Sequence, residues 1–185
     1  LCLNGYSIIM TGNNDVIKVG SDKTFTLTDC GATGTITHAS GAAGRGASVY
    51  GGTFNMYCGS ITGNSAEYGL GQNAAVALGM IGVKVSQVGV LIGNTVTVGI
   101  TGNSAEYGGG VSMNTGTFNM YGGDITGNTA TADHLGGGGV YVDYGTFNMY
   151  AGDITGNNAT GKGGGVFMNG YSSTSIFNMS GGSIT

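Results

Sequence analysis

Gly145-Thr-Phe-Asn-Met-Tyr-Ala-Gly-Asp-Ile-Thr-Gly-Asn157 decides the reading of this chain, because it is the third full copy of one phrase. Thr53-Phe-Asn-Met-Tyr-Cys-Gly-Ser-Ile-Thr-Gly-Asn64 and Thr117-Phe-Asn-Met-Tyr-Gly-Gly-Asp-Ile-Thr-Gly-Asn128 precede it, and Ile176-Phe-Asn-Met-Ser-Gly-Gly-Ser-Ile-Thr185 begins another. Phe118 and Phe147 are 29 residues apart, and Phe147 and Phe177 are 30 apart. A fixed period of this size means one structural unit stacked on copies of itself.

Working outward, the unit 136–157 holds three short alternating segments: Val140-Tyr-Val142, Thr146-Phe-Asn-Met149 and Asp153-Ile-Thr155. Glycine clusters or Gly-Asn separate them. Period-two alternation sends one set of side chains inward and the other outward. Three strands per turn of about 29–30 residues predict an all-β parallel β-helix, each strand pairing with its equivalent one coil on. Phe25, Phe54, Phe118, Phe147 and Phe177 then form one inward column, and Leu27, Met56, Met120, Met149 and Met179 the next. Ile36, Ile61, Ile100, Ile125, Ile154 and Ile184 form a third.

The 185 residues are expected to form one domain. Its parts are irregular N-terminal coils over 1–43, a regular coil over 44–68, a degenerate coil or insertion over 69–98, and regular coils over 99–185. Because the sequence opens at Leu1 and stops within a phrase, we expect a fragment of a longer product. Glycine is abundant at 41 residues, but it recurs at fixed places between apolar alternations, as turns do. Net charge is −4, and the five basic residues are scattered, which argues against a nucleic-acid partner. The longest apolar stretch, 74–93, is broken by Lys84, Ser86 and Gln87 and alternates like strand, so no membrane insertion of this segment is expected.

Side chains that alternate with Phe and Met face outward: Asn55, Asn119, Asn148 and Asn178, then Tyr57, Tyr121 and Tyr150, with Ser180 in the last place. This strip is the candidate ligand-binding surface, since Tyr offers an apolar ring and a hydroxyl at low entropic cost. Glycans or a host or neighbouring cell surface are the expected partners. The simpler alternative is a solvated sheet face of stacked Asn. A second row, Asn64, Asn103, Asn128 and Asn157, follows Gly and reads as structural.

Asp124 and Asp153 hold equivalent places and form a weak Ca²⁺ candidate, interrupted by Ser60, Gly99 and Ser183. No cofactor is otherwise expected. Glu67 and Glu106 read as surface turns, and His38 and His134 sit in loop-like contexts with little sign of acid–base chemistry. No nucleophile elbow, zinc-binding His pair or phosphate-binding loop is present, so no catalytic residue is assigned. Cys30 and Cys58 fall about one coil apart and are a disulfide candidate, with Cys2–Cys30 competing.

Leu1-Cys-Leu-Asn-Gly-Tyr, Phe25-Thr-Leu-Thr-Asp-Cys, Gly44-Arg-Gly and the repeated Gly-Gly-Thr-Phe-Asn-Met-Tyr and Ile-Thr-Gly-Asn resemble bacterial cell-surface proteins with right-handed parallel β-helix repeats. These include adhesin-like proteins and polymorphic outer-membrane-protein repeats. The resemblance covers nearly the whole chain apart from about 69–98. It implies right-handedness, an extracellular or bacterial cell-surface location, and a non-enzymatic structural or binding role. It supplies no catalytic residues.

Three other functions fit the same scaffold. A polysaccharide lyase or hydrolase needs clustered acids and bases in a groove, whereas Arg45 and Lys162 lie near glycine turns away from Asp124 and Asp153. Ice binding would use a Thr column such as Thr62, Thr101, Thr126 and Thr155. Exposed strand edges at the ends would permit end-to-end self-association into a fibre.

Overall fold

The computed structural model describes residues 1–20, 22–29, 33–50, 53–56, 59–66, 78–81, 83–85, 98–113, 116–169 and 175–185. All regular structure among them is β, and the paired strands run parallel, stacked as a solenoid. Each winding supplies strands to three long sheets because its three alternating segments are too short to fold back on themselves. Each therefore pairs with the next winding.

The isoleucine sheet stacks Ile8–Met10, Thr35–His38, Gly59–Thr62, Val98–Thr101, Asp124–Thr126, Asp153–Thr155 and Ser183–Ile184. The valine sheet stacks Ile17–Val19, Ala47–Tyr50, Leu78–Ile81, Val111–Met113, Val140–Val142 and Val166–Met168. The phenylalanine sheet comes in two pieces. Thr24–Leu27 pairs with Thr53–Met56, and Val83–Val85, Gly116–Met120, Thr146–Met149 and Ile176–Met179 make the second. A fourth ladder sits at a corner, from Ser104–Ala105 through Thr129–Ala130 to Asn158–Ala159. It was not anticipated, since two residues carry no readable alternation.

Register follows the repeat. Phe118 is the Cα partner of Phe147, which is the partner of Phe177, and Ile125, Ile154 and Ile184 align in the same way. The Phe rings stack at centroid distances of 5.2 and 4.9 Å. Phe118, Phe147, Met120, Met149 and Ile154 are fully or almost fully buried. Each such side chain stabilises the fold by roughly 1.5–3 kcal/mol. Met179, in the outermost strand of its sheet, is largely exposed. Val140, Val142 and Met113 bring the valine sheet into the same core.

The two irregular stretches also join this architecture. Ile8–Met10, Ile17–Val19 and Thr24–Leu27 give one strand to each long sheet. Within 69–98, Leu78–Ile81 pairs on both sides and Val83–Val85 pairs with Gly116–Met120. The isoleucine sheet continues across this stretch, with Ile61 beside Ile100 despite their 39-residue separation.

Polar groups stand in for the repeat in the first winding. The buried Asp29 carboxylate accepts the Gly5 and Gly34 amide protons at 2.6 Å each. Arg45 pairs with Asp15 at 3.0 Å.

Glycine is required at two kinds of corner. In Ile-Thr-Gly-Asn, the glycines Gly63, Gly102, Gly127 and Gly156 have φ between +59° and +64°, a region in which a residue without Cβ pays least. Simple alternation would send the following Asn outward. The left-handed step turns it inside. At Gly139, an added Cβ would lie 2.6 Å from the Gly165 carbonyl oxygen and 2.8 Å from Ile154. The Gly-Gly-Gly-Val runs pass so closely that Gly109 and Gly110 donate N–H groups to the carbonyls of Gly137 and Gly138.

Candidate functional site

The outer strip on the phenylalanine sheet is assembled by register. Asn119, Asn148 and Asn178 are consecutive Cα partners. Asn148 Nδ2 donates to Asn119 Oδ1 at 2.8 Å, and Asn178 Nδ2 donates to Asn148 Oδ1 at the same distance. Beside them the Tyr121 and Tyr150 rings stack at 4.7 Å with only 6° between their planes. Each ring hides one face in the stack, so the pair offers edges and hydroxyls, and Tyr150 is exposed. Ser180 follows Met179, the register partner of Met149, and so leaves the place beside Tyr150 without a ring. Tyr57 and the Asn55 side chain lie outside the described residues, as do Cys30 and Cys58 and hence the proposed disulfide.

The second Asn row is buried from Asn64 through Asn128 and half-buried at Asn157. Asn64 Nδ2 donates to Asn103 Oδ1, Asn103 to Asn128, and Asn128 to Asn157, at 3.1, 3.0 and 2.9 Å. The same oxygens accept the backbone N–H of the preceding Asn. Each Nδ2 also reaches an isoleucine carbonyl: Ile36, Ile61, Ile100 or Ile125. This uses both amide protons and both acceptor positions of each central Asn, as burial demands.

His38 departs from its expected loop setting. It ends the strand Thr35–His38 and is buried. Its Nδ1 lies 2.7 Å from Asn64 Oδ1 and its Nε2 lies 2.7 Å from the Asn14 carbonyl oxygen. Asn64 Nδ2 is committed to Asn103, so its Oδ1 faces the ring and both ring nitrogens meet acceptor oxygens. His38 closes the N-terminal end of the buried row.

Asp124 and Asp153 are register partners, and Ser183 Oγ donates to Asp153 Oδ1 at 2.6 Å. No group of three His, Cys, Asp or Glu side chains that could hold a metal occurs among the described residues. On the same face, Thr101 Oγ1 donates to Thr62 Oγ1 at 3.1 Å, and the Thr126 and Thr155 hydroxyls lie 3.4 Å apart.

One feature escaped sequence reasoning. A cleft of about 560 Å³ opens at the corner after the buried Asn row, with Ser65, Ser104, Glu106, Tyr107, Asp133 and His134 in its lining. It arises from unequal corners. Asn103 and Gly108 are five residues apart, whereas the stacked pair Asn128 and Gly137 are nine apart. The extra length overhangs the shorter corner. Thr131 and Ala132 N–H groups pin it to the carbonyls of Ala105 and Glu106 at 2.8 and 3.0 Å.

Tyr107 is backed by Tyr141 at 5.6 Å, and Tyr141 stacks on Phe167 at 5.8 Å. Burial, then the nearby Asp143 carboxylate, pushes the Tyr141 hydroxyl up to about 12, with the Asn169 amide acting the other way. Tyr107 is therefore held by a neutral, packed aromatic ladder.

Compared with models of protein families, with curated proteins and with solved structures, the chain matches none of them.

Proposed function

We propose that this chain is a non-enzymatic, adhesin-like binding module of a bacterial cell surface, recognising glycan through the Asn119, Asn148, Asn178, Tyr121 and Tyr150 strip. One observation carries the reading: these polar and aromatic groups are locked before any ligand arrives. The amides are chained at 2.8 Å and the rings are stacked at 4.7 Å. A surface ordered in advance loses little side-chain freedom on binding, so weak contacts to sugar hydroxyls add up across several windings. Ring edges and amides in a row of regular rise suit an extended ligand better than a compact one. The cell-surface location rests on the resemblance of the repeats alone.

A glycan array probed with the wild-type chain and with a Tyr121→Ala/Tyr150→Ala variant tests this directly. The wild type should retain a defined set of glycans and the variant should lose them. Equal binding by the two proteins discards the strip as the recognition face.

A further inference from the structure

The corner cleft lies apart from the strip, and its chemistry differs. Among the described residues, its lining contains two carboxylate residues, Glu106 and Asp133, together with His134, and neither lysine nor arginine. Lys162 belongs to the corner beyond the overhang, where Gly137 N–H meets its carbonyl. Ser104 and Tyr107 contribute a hydroxyl and an aromatic ring to the same lining. At about 560 Å³ the cleft has the size of a small-molecule site. The overhang that forms it is fixed by backbone hydrogen bonds, and Tyr107 is held from behind by Tyr141.

We propose that this cleft binds an organic ammonium group, carried by an amino sugar or by a lysine side chain. A cation gains from both carboxylates and from a tyrosine ring, whose electron-rich face attracts positive charge. A carboxylated or sulfated ligand meets two like charges, with the His134 imidazole as the one basic side chain among the described lining residues. The site is built from the length of the 131–135 overhang and not from the repeat. It stands independently of glycan recognition by the strip, which lies on another face.

Isothermal titration calorimetry on the full chain separates the possibilities. The probes are glucosamine and Nα-acetyl-lysine amide, with glucose and Nα,Nε-diacetyl-lysine amide as neutral counterparts. At least one cationic probe should bind while its neutral counterpart does not, and affinity should fall as salt is added. Binding by glucosamine alone identifies the amino-sugar source, and by the lysine amide alone a protein partner. Glu106→Gln and Asp133→Asn should each weaken binding roughly three- to tenfold, as expected for partly solvated ion pairs. Asp124→Asn, on the isoleucine sheet, should leave it unchanged. A retained β-type circular-dichroism spectrum shows that each variant is folded. Equal binding of neutral and cationic probes, heat from none of the four, or indifference to both cleft substitutions would overturn the proposal.

Discussion

Two rows of asparagine run along this molecule, and they do different work with the same side chain. The inner row, Asn64 to Asn157, bonds to backbone N–H and C=O groups at a buried corner as well as to itself. The outer row, Asn119 to Asn178, has amide-to-amide bonds along an outward sheet face, half-buried at Asn119 and Asn148 and exposed at Asn178. The sequence difference is small. The inner Asn follows a glycine in the left-handed region, while the outer Asn sits within the unbroken alternation Phe-Asn-Met. One backbone step decides whether an amide becomes structural mortar or accessible surface.

The sharpest way to break this contrast is Asn128→Leu. It removes the acceptor of Asn103 N–H and Nδ2 and strands the Ile100 carbonyl, while Asn157 Oδ1 keeps only the backbone N–H of residue 128. Each buried unpaired group costs about 1–3 kcal/mol, so urea denaturation should show a loss of about 3 kcal/mol or more. His38→Leu attacks the end of the row, leaving Asn64 Oδ1 and the Asn14 carbonyl without their ring partners. A loss of about 1–2 kcal/mol is expected in the same assay. If both variants matched wild type, the inner row would contribute nothing to stability.

A third test concerns pH. The Tyr141 hydroxyl titrates near 10 when unfolded and at about 12 in the folded chain. Its neutral form is favoured on folding, so its contribution is complete below pH 10 and is lost as pH rises through about 12. Stability measured across this range should fall less steeply in Tyr141→Phe. An identical slope removes Tyr141 as a source of the pH dependence. The smallest effect belongs to Asn148→Ala on the outer row. It should cost about 1 kcal/mol or less, because the residue is only half-buried and water can take the place of its two amide partners, while still disturbing any glycan bound by the strip.

Most of the architecture was legible because repetition vouches for itself. Phe118, Phe147 and Phe177 lie at constant spacing, and constant spacing in a stacked chain means contact. The outer Asn and Tyr rows followed from alternation alone. What stayed hidden occurs once. His38, Asp29 and the Asp15–Arg45 pair have no equivalents in later windings, so nothing in the sequence marked them as partners across 24 to 30 residues. Glu106 and Asp133 were unreadable for another reason. Their cleft arises from a difference in corner length between two windings, visible only once Asn103 is known to lie on Asn128.

The central claim is that successive windings stack in parallel and in register, and paired cysteines test it most directly. Thr126 and Thr155 are Cα partners with outward hydroxyls 3.4 Å apart, whereas Thr126 and Asp153 are offset by two residues. A disulfide needs Cα atoms within about 7 Å. Mild oxidation followed by peptide mass mapping should find the bridge in Thr126→Cys/Thr155→Cys and little of it in Thr126→Cys/Asp153→Cys. Equal bridging in the two, or bridging only in the offset pair, would contradict the stacking on which every column in this protein depends.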